Sequence, residues 1–327
     1  MTQQDIFQRF AQLKVLIIGD VMIDSYIWGN VHRISPEAPV PIVNVQQREQ
    51  RLGGAGNVAL NVQSLGATPL LCSVIGADAD GETLMRLFAK NELRFDGLVQ
   101  SAQRITTIKH RILAGSQHIL RVDSETDKAI NEEEQQLLWQ KIQKMLPECQ
   151  VVIFEDYDKG VLNENIIQKT IQLAKSLQIP TVVDPKKRNF LAYRHASLFK
   201  PNLKELKEGL KLDFEADDQA ALAAAVAQLR QQLSLEGVLL TLSERGVYIS
   251  HREESHHLPA HLREIADVSG AGDTVVSIAA LCLALGLPPK QVAALANLGG
   301  GLVCEHLGVV PIDKALLAEE ATRLQLV

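Results

Sequence analysis

The sequence has no surplus of positive charge. Its 33 Lys and Arg face 39 Asp and Glu, for a formal net charge of -6 at pH 7. So few spare cations cannot replace the counterions along a phosphate backbone, which argues against a nucleic-acid or polyanion partner. A small-molecule partner is expected instead. Long apolar runs are missing as well: the longest, Val275 to Leu287, is interrupted by Ser277, followed by Pro288 and Pro289, and too short to span a bilayer. The opening MTQQDIFQRF lacks a signal-peptide core. These absences predict a cytoplasmic protein with no membrane partner. Four cysteines, Cys72, Cys149, Cys282 and Cys304, lie far apart without metal-ligand spacing. Cys72 and Cys282 read as small buried hydrophobes. No repeat, low-complexity tract or Ser/Gly-rich linker divides the chain, so one domain over residues 1–327 is expected.

What is present is a long alternation of strand and helix patterns. The apolar run KVLIIGD (14–20) ends in Gly-Asp, as a buried parallel strand ending at a functional loop does. Helical spacing follows at 57–65 and 81–91 around PLLCSVIG, then near 132–145 and 163–177, with strands VVIFED, TVVD and SLFK between and after them. After SLFK come PNLKELKEGL, an alanine-rich helix to Gln232, the strand GVLLTLS and a helix from Ala271 to about Leu285. The α/β alternation predicts a three-layer α/β/α fold on a mostly parallel sheet. Two stretches break the rhythm. Residues 26–51 carry prolines among β-branched residues, and 105–123 read as a hairpin turning near Ala114 to Gln117. Together they predict a small β lid.

Two glycine clusters carry the chemical signal. In DVSGAGDTVV, a glycine turn at Gly270, Ala271 and Gly272 opens a helix, aiming backbone N–H groups and the positive end of the helix dipole at an anion. Asp273 there either caps the helix or accepts the proton of a hydroxyl attacking a phosphoryl group. In RLGGAGNVALNV, Gly53 and Gly54 either form a tight turn or let a ligand approach the backbone, beside Asn57 as donor and acceptor. The GxxxxGK[ST] loop, the GxGxxG fingerprint and the HRD and DFG set are all absent. The histidines of SHREESHHLPAH (His251, His256, His257 and His261) do not share one helical face and read as a strand pair with exposed imidazoles.

The two clusters, in this order, resemble the signatures of the ribokinase-like (PfkB) family of sugar kinases, over nearly the whole chain. The resemblance implies an ATP-dependent carbohydrate kinase with Mg2+. It implies Asp273 as base, with the backbone of Gly270, Ala271 and Gly272 as anion hole. It places Asp24 of GDVMIDSY, with Gly53, Gly54 and Asn57, on the substrate's hydroxyls. It places Asn202 and Glu205 of PNLKE near the triphosphate, Glu205 reaching Mg2+ through water, and Thr241, Ser243, Gly246 and Asn297 around the nucleotide.

Within the family, GDVMIDSYIWGNVHRISPEAPVPIV, TTIKHRI, DYDKG and VVDPK are similar to the branch that phosphorylates D-glycero-D-manno-heptose 7-phosphate at the anomeric hydroxyl. That reaction feeds ADP-heptose and lipopolysaccharide core synthesis. No HxGH nucleotidyl-transfer motif follows, so a kinase domain alone is expected. Arg33, Lys109, Arg111, Lys159 and Lys186 are candidate phosphate cations or plain surface charges, with Lys109, Lys159 and Lys186 favoured by the branch motifs. The chain departs from the branch at Glu155 and Asp158, where SDYGKG is expected, at Lys187, and in GGGLVCEHLGVVPI. Another sugar, sugar phosphate or nucleoside therefore stays open as substrate, as does a noncatalytic binding role. Apolar residues of the lid (Ile34, Val40, Ile42 and Val43) predict a homodimer joined through it.

Overall fold

The computed structural model describes residues 3–115, 117–261 and 263–326. Its thirteen strands are β1 (Lys14–Gly19), β2 (Val21–Ile34), β3 (Pro41–Gly54), β4 (Thr68–Gly76), β5 (Leu98–Ser101), β6 (Ile108–Ala114), β7 (Gln117–Ser124), β8 (Val151–Glu155), β9 (Thr181–Asp184), β10 (Leu198–Phe199), β11 (Gly237–Thr241), β12 (Val247–His251) and β13 (Glu254–Leu258). Nine form one sheet in the order β13-β12-β11-β10-β9-β8-β1-β4-β5. From β5 to β11 every neighbouring pair is parallel, and β12 and β13 extend the edge antiparallel. Helices cover both faces, each over its own apolar cluster. Strands such as VVIFE are buried throughout because both faces are covered. The expected α/β/α layering is present.

Strand order reverses at β1. The chain leaves β1 toward β4 and β5 on one side and returns to β8 on the other, opening a crevice at the carboxyl ends of β1 and β8. Asp20 sits in that crevice. Its carboxylate accepts backbone N–H bonds from Tyr157 (2.8 Å), Lys159 (3.1 Å) and Val161 (3.1 Å), and its own carbonyl accepts from Ala55 N at 3.0 Å. Burial, with Asp156 nearby, pushes the Asp20 carboxyl up to about 6 against those three donors.

The lid is the sheet β3-β2-β6-β7. Strands β2 and β3 pair antiparallel from Val21 with Gly54 to Ile34 with Pro41, beyond residues 26–51 at both ends, so the lid grows from the core without a linker. Strands β6 and β7 form the expected hairpin, with Ser116 of its turn outside the described residues. At the tip Ile34 is 59% and Val40 52% exposed, and Val45, Leu120 and Val122 are exposed as well. Ile42 and Val43 are half-buried.

Of the histidine stretch, His251 lies on β12 and His256 and His257 on β13, which do pair, while His261 follows outside any strand. His251 is buried beneath Gly237 rather than exposed, because its strand packs inside the sheet edge. Among the described residues no helix is long and apolar enough to cross a membrane.

Replacing Asp20 by Asn puts a donor where three backbone donors already converge. Asp20→Asn is expected to cost about 3 kcal/mol of stability, the scale of lost buried bonds to a charged group. Thermal unfolding of variant and parent checks this, and an unchanged midpoint would show that the loop holds itself.

Candidate active site

The second glycine cluster ends β3 and starts a helix at Ala55–Ser64. Gly54 has φ 57°, and a Cβ there would meet the Asp20 carbonyl oxygen at 2.4 Å, while one on Gly53 would meet the Asp24 carboxylate at 2.3 Å. Only glycine fits at either position. The turn delivers Asn57 to Asp273: its Nδ2 donates to Asp273 Oδ2 at 2.6 Å. Asn61, one helical turn on, donates to the Asn57 carbonyl at 2.9 Å and accepts from Thr274 Oγ1 at 3.0 Å.

Asp273 lies in the first turn of the Ala271–Ala284 helix, whose N-cap Gly270 has φ 81°. The carboxylate is 3% exposed and does not cap its own helix. Tyr157 OH donates to its other oxygen at 2.9 Å. Burial pushes the Asp273 carboxyl up to about 6, Asp184 adds to the rise, and the Asn57 and Tyr157 hydrogen bonds oppose it. Burial and Asp273 together hold the Tyr157 hydroxyl protonated, well above its usual range. An ionised carboxylate at a helix N-terminus, beside open glycine backbone, can take a proton from a hydroxyl while the helix end holds an anion.

Two more carboxylates face Asp273. Glu155 and Asp184 end β8 and β9 side by side, and one oxygen from each of the three lies within 4.8 Å of the others. Lys200 Nζ is 2.8 Å from Asp184, and Lys186 Nζ is 3.6 Å from Asp184 and 3.2 Å from Glu205. Burial pushes the Asp184 carboxyl up, and the two ammoniums more than reverse it. Glu155 is 0% exposed and neither of its oxygens has a hydrogen-bond partner. Burial, Asp184 and Asp273 push it well above the carboxylate range. Clustered carboxylate oxygens of this kind fit a hard divalent cation such as Mg2+.

Asn202 and Glu205 form a capping box on the Leu203–Leu210 helix, each accepting from the other's backbone N–H at 2.8 Å. The remaining Glu205 oxygen reaches Lys186, placing this pair at the carboxylate cluster. Thr241 bridges to Asn202, and Ser243 and Gly246 follow in the next turn, where a Cβ on Gly246 would meet the Leu258 carbonyl at 2.0 Å. Asn297 donates to the Pro259 carbonyl at 2.8 Å.

The candidate cations separate into groups. Lys109 and Lys159 meet at Glu125, at 2.8 and 2.7 Å, and Lys109 also pairs with Asp123 at 3.2 Å. Arg111 pairs with Asp24 and stacks over Tyr26. Lys186 lies with Glu205, apart from those two lysines' partners, and Arg33 is exposed near the lid tip. Of the departures, Asp158 has φ 55°, a left-handed conformation that explains glycine at that place and that aspartate tolerates. Lys187 is on the surface, 3.8 Å from Glu208.

Sequence reading missed Tyr157, Asn61, Asp184 and Lys200. A signal existed for some: two apolar strands ending in acids, and Asn57 with Asn61 at helical spacing. A cavity of about 800 Å3 also opens at the opposite end of the sheet, lined by Thr181, His195, Glu236 and His251, and shares none of these residues.

Residues 12–315 match the model described as pfkB family carbohydrate kinase. The bifunctional protein HldE of Syntrophotalea carbinolica is 39% identical over 317 residues, covering 97% of this chain and 64% of that protein. HldE of Methylobacillus flagellatus is 42% identical over 307 residues, covering 94% of this chain and 62% of that one. The chain thus spans less than two thirds of these curated relatives. Escherichia coli phosphofructokinase-2, solved in complex with potassium, superposes with a TM-score of 0.78 at 18% identity, covering 96% of this chain and 99% of that one.

Glu155→Gln removes a carboxyl whose folded-state value lies above its unfolded one. The folded state then binds the extra proton, so the parent loses stability as pH rises above the ordinary Glu range, by up to about 1.4 kcal/mol per pH unit. The variant is expected to lack that loss, gaining on the parent as pH rises above the ordinary Glu range in metal-free thermal melts. A variant less stable at every pH would show that the charge is anchored.

Proposed function

Because this chain belongs to the pfkB family of carbohydrate kinases, and is an ATP-dependent sugar kinase in consequence, we propose that its substrate is D-glycero-D-manno-heptose 7-phosphate, phosphorylated at the anomeric hydroxyl to the 1,7-bisphosphate. The observation that carries the chemistry is Asp273, buried and held by Asn57 and Tyr157 at the N-terminus of a glycine-opened helix. The choice of sugar is supported by identity: 39% and 42% to the HldE proteins against 18% to phosphofructokinase-2.

In this reading Asp273 takes the proton of the attacking hydroxyl. An anomeric hydroxyl is more acidic than an ordinary alcohol, so a carboxylate suffices in a loose transition state. Backbone N–H groups at Gly270, Ala271 and Gly272 stabilise charge on the transferring phosphoryl group. Asp24 and Asn57 orient the sugar hydroxyls, Gly53 and Gly54 let them approach, and Lys109 and Lys159 receive the 7-phosphate. Arg111 serves through Asp24. Asn202, Glu205 and Lys186 face the triphosphate, and Thr241, Ser243, Gly246 and Asn297 line the nucleotide's place. Glu205, through water, with the carboxylates beside Lys186 would hold Mg2+, which when bound neutralises phosphate charge. The lid excludes water that would compete for the phosphoryl group. A cytoplasmic location suits these soluble substrates.

The test is ADP release with ATP and Mg2+ over a panel of sugars and sugar phosphates, with the product read by phosphorus NMR. Selective 1,7-bisphosphate formation is expected, with an acid limb of the rate falling as pH drops through about 6, where Asp273 protonates. Asp273→Asn is expected to lose several orders of magnitude in turnover while still binding ATP. Near-normal turnover would remove Asp273 as base, and turnover of another sugar alone would keep the kinase and discard the heptose.

We also propose a homodimer through the lid, since its exposed apolar tip costs free energy in water. Sedimentation at micromolar concentration should give twice the 35.9 kDa chain mass. A monomer there overturns the pairing.

A further inference from the structure

The cations that read as the sugar-phosphate site are already occupied. Lys159 Nζ lies 2.7 Å from Glu125 Oε1, and Lys109 Nζ lies 2.8 Å from Glu125 Oε2. One carboxylate therefore spends both oxygens on two ammoniums, the contact that two phosphate oxygens would make. The lysine side chains are 12% and 17% exposed and Glu125 27%, so the cluster is shielded but reachable.

Position makes Glu125 displaceable. Lys109 is fixed in β6 between Asp24 of β2 and Asp123 of β7. Lys159 is fixed by its backbone bond to Asp20. Glu125 follows the last residue of β7, outside any strand, where the chain leaves the lid. The cations are thus anchored and their anion is not. Lys159 also stands two residues after Tyr157, the hydroxyl on Asp273, and both backbone N–H groups bond the same Asp20 oxygen, so one loop carries both side chains.

We propose that Glu125 is a stand-in for the substrate's phosphate: a resident carboxylate that holds Lys109 and Lys159 until the terminal phosphate of the sugar displaces it. This rests on the reading that the substrate carries such a phosphate. A phosphate monoester near pH 7 brings a charge of about -1.5 to -2 against the single charge of Glu125. On a sugar it is also tethered to hydroxyls held by the rest of the site, which raises its effective concentration. Free inorganic phosphate has no such tether and must compete alone. Glu125 therefore sets a displacement cost common to both phosphates, which the tethered phosphosugar meets more readily than free phosphate, and a neutral sugar leaves the bridge closed.

The experiment is Glu125→Gln, assayed with heptose 7-phosphate, with unphosphorylated heptose, and with inorganic phosphate as inhibitor. The Ki of inorganic phosphate and the KM of the phosphosugar are each expected to fall about three- to tenfold, the worth of a half-buried charged hydrogen bond. The KM of unphosphorylated heptose should not follow them. A second readout needs no turnover: inorganic phosphate should raise the melting temperature of the variant more than that of the parent. Unchanged or weaker phosphate inhibition in Glu125→Gln, with the parent still preferring the phosphosugar, overturns the role of Glu125 and leaves the substrate reading intact. A parent that turns over heptose as well as its 7-phosphate overturns both.

Discussion

The Asp20 carboxylate is the point on which the site is assembled. It ends the strand that carries the fold's reversal of order, and its three backbone bonds shape the segment from Tyr157 to Val161. That segment supplies the hydroxyl on Asp273 and the ammonium of Lys159. The Asp20 carbonyl meanwhile accepts from Ala55 N, the first residue of the helix that carries Asn57. One buried residue thereby fixes both groups that hold the base. Its charge is tolerated in the interior because three N–H donors offset part of what burial takes away.

Around this hub the site concentrates like charge. Asp20, Asp156, Glu155, Asp184 and Asp273 are all buried at the carboxyl edge of the sheet. Lys200 and Lys186 answer Asp184, and hydrogen bonds answer Asp20, Asp156 and Asp273. Glu155 alone has no partner among the described residues' side-chain contacts. Such frustration is costly in an empty cleft and is relieved by whatever positive charge enters it. A phosphoryl-transfer site has that reason to keep it.

The layers of the fold were legible because apolar runs and helical spacing are local: the helix expected near 132–145 spans Glu132–Met145. Asp273 and Asn57 were legible because glycines announce them. The lid's extent was less so, since Val21 and Ile23 are buried and precede the prolines that mark the expected lid, although they belong to a lid strand. Tyr157 and Glu125 were not legible at all. Each matters through a partner more than thirty residues away, Asp273 for one and Lys159 for the other, and no local pattern encodes such a pairing. The lysines could be read as cations, but their neutralisation depends on where β7 lets the chain go.

Continuity of the backbone has a consequence for how the lid works. Strand β2 follows β1 with only Asp20 between them, and β3 passes through Gly54 directly into the helix of Asn57. Tyr26 and Arg51, near the root of these strands, bond the Val309 backbone, and Val309 packs against Gly270 of the anion hole. The root of the lid therefore carries Asp24 and leads into Asn57 while touching the glycine turn. A hinge at this root cannot move the first without disturbing the other two. Bending belongs farther out, at the register shifts near Trp28 and Gly29 and between Val31 and Arg33, where paired strands are already irregular. The outer lid can then close over a substrate while its root keeps Asp273 and the anion hole in fixed register.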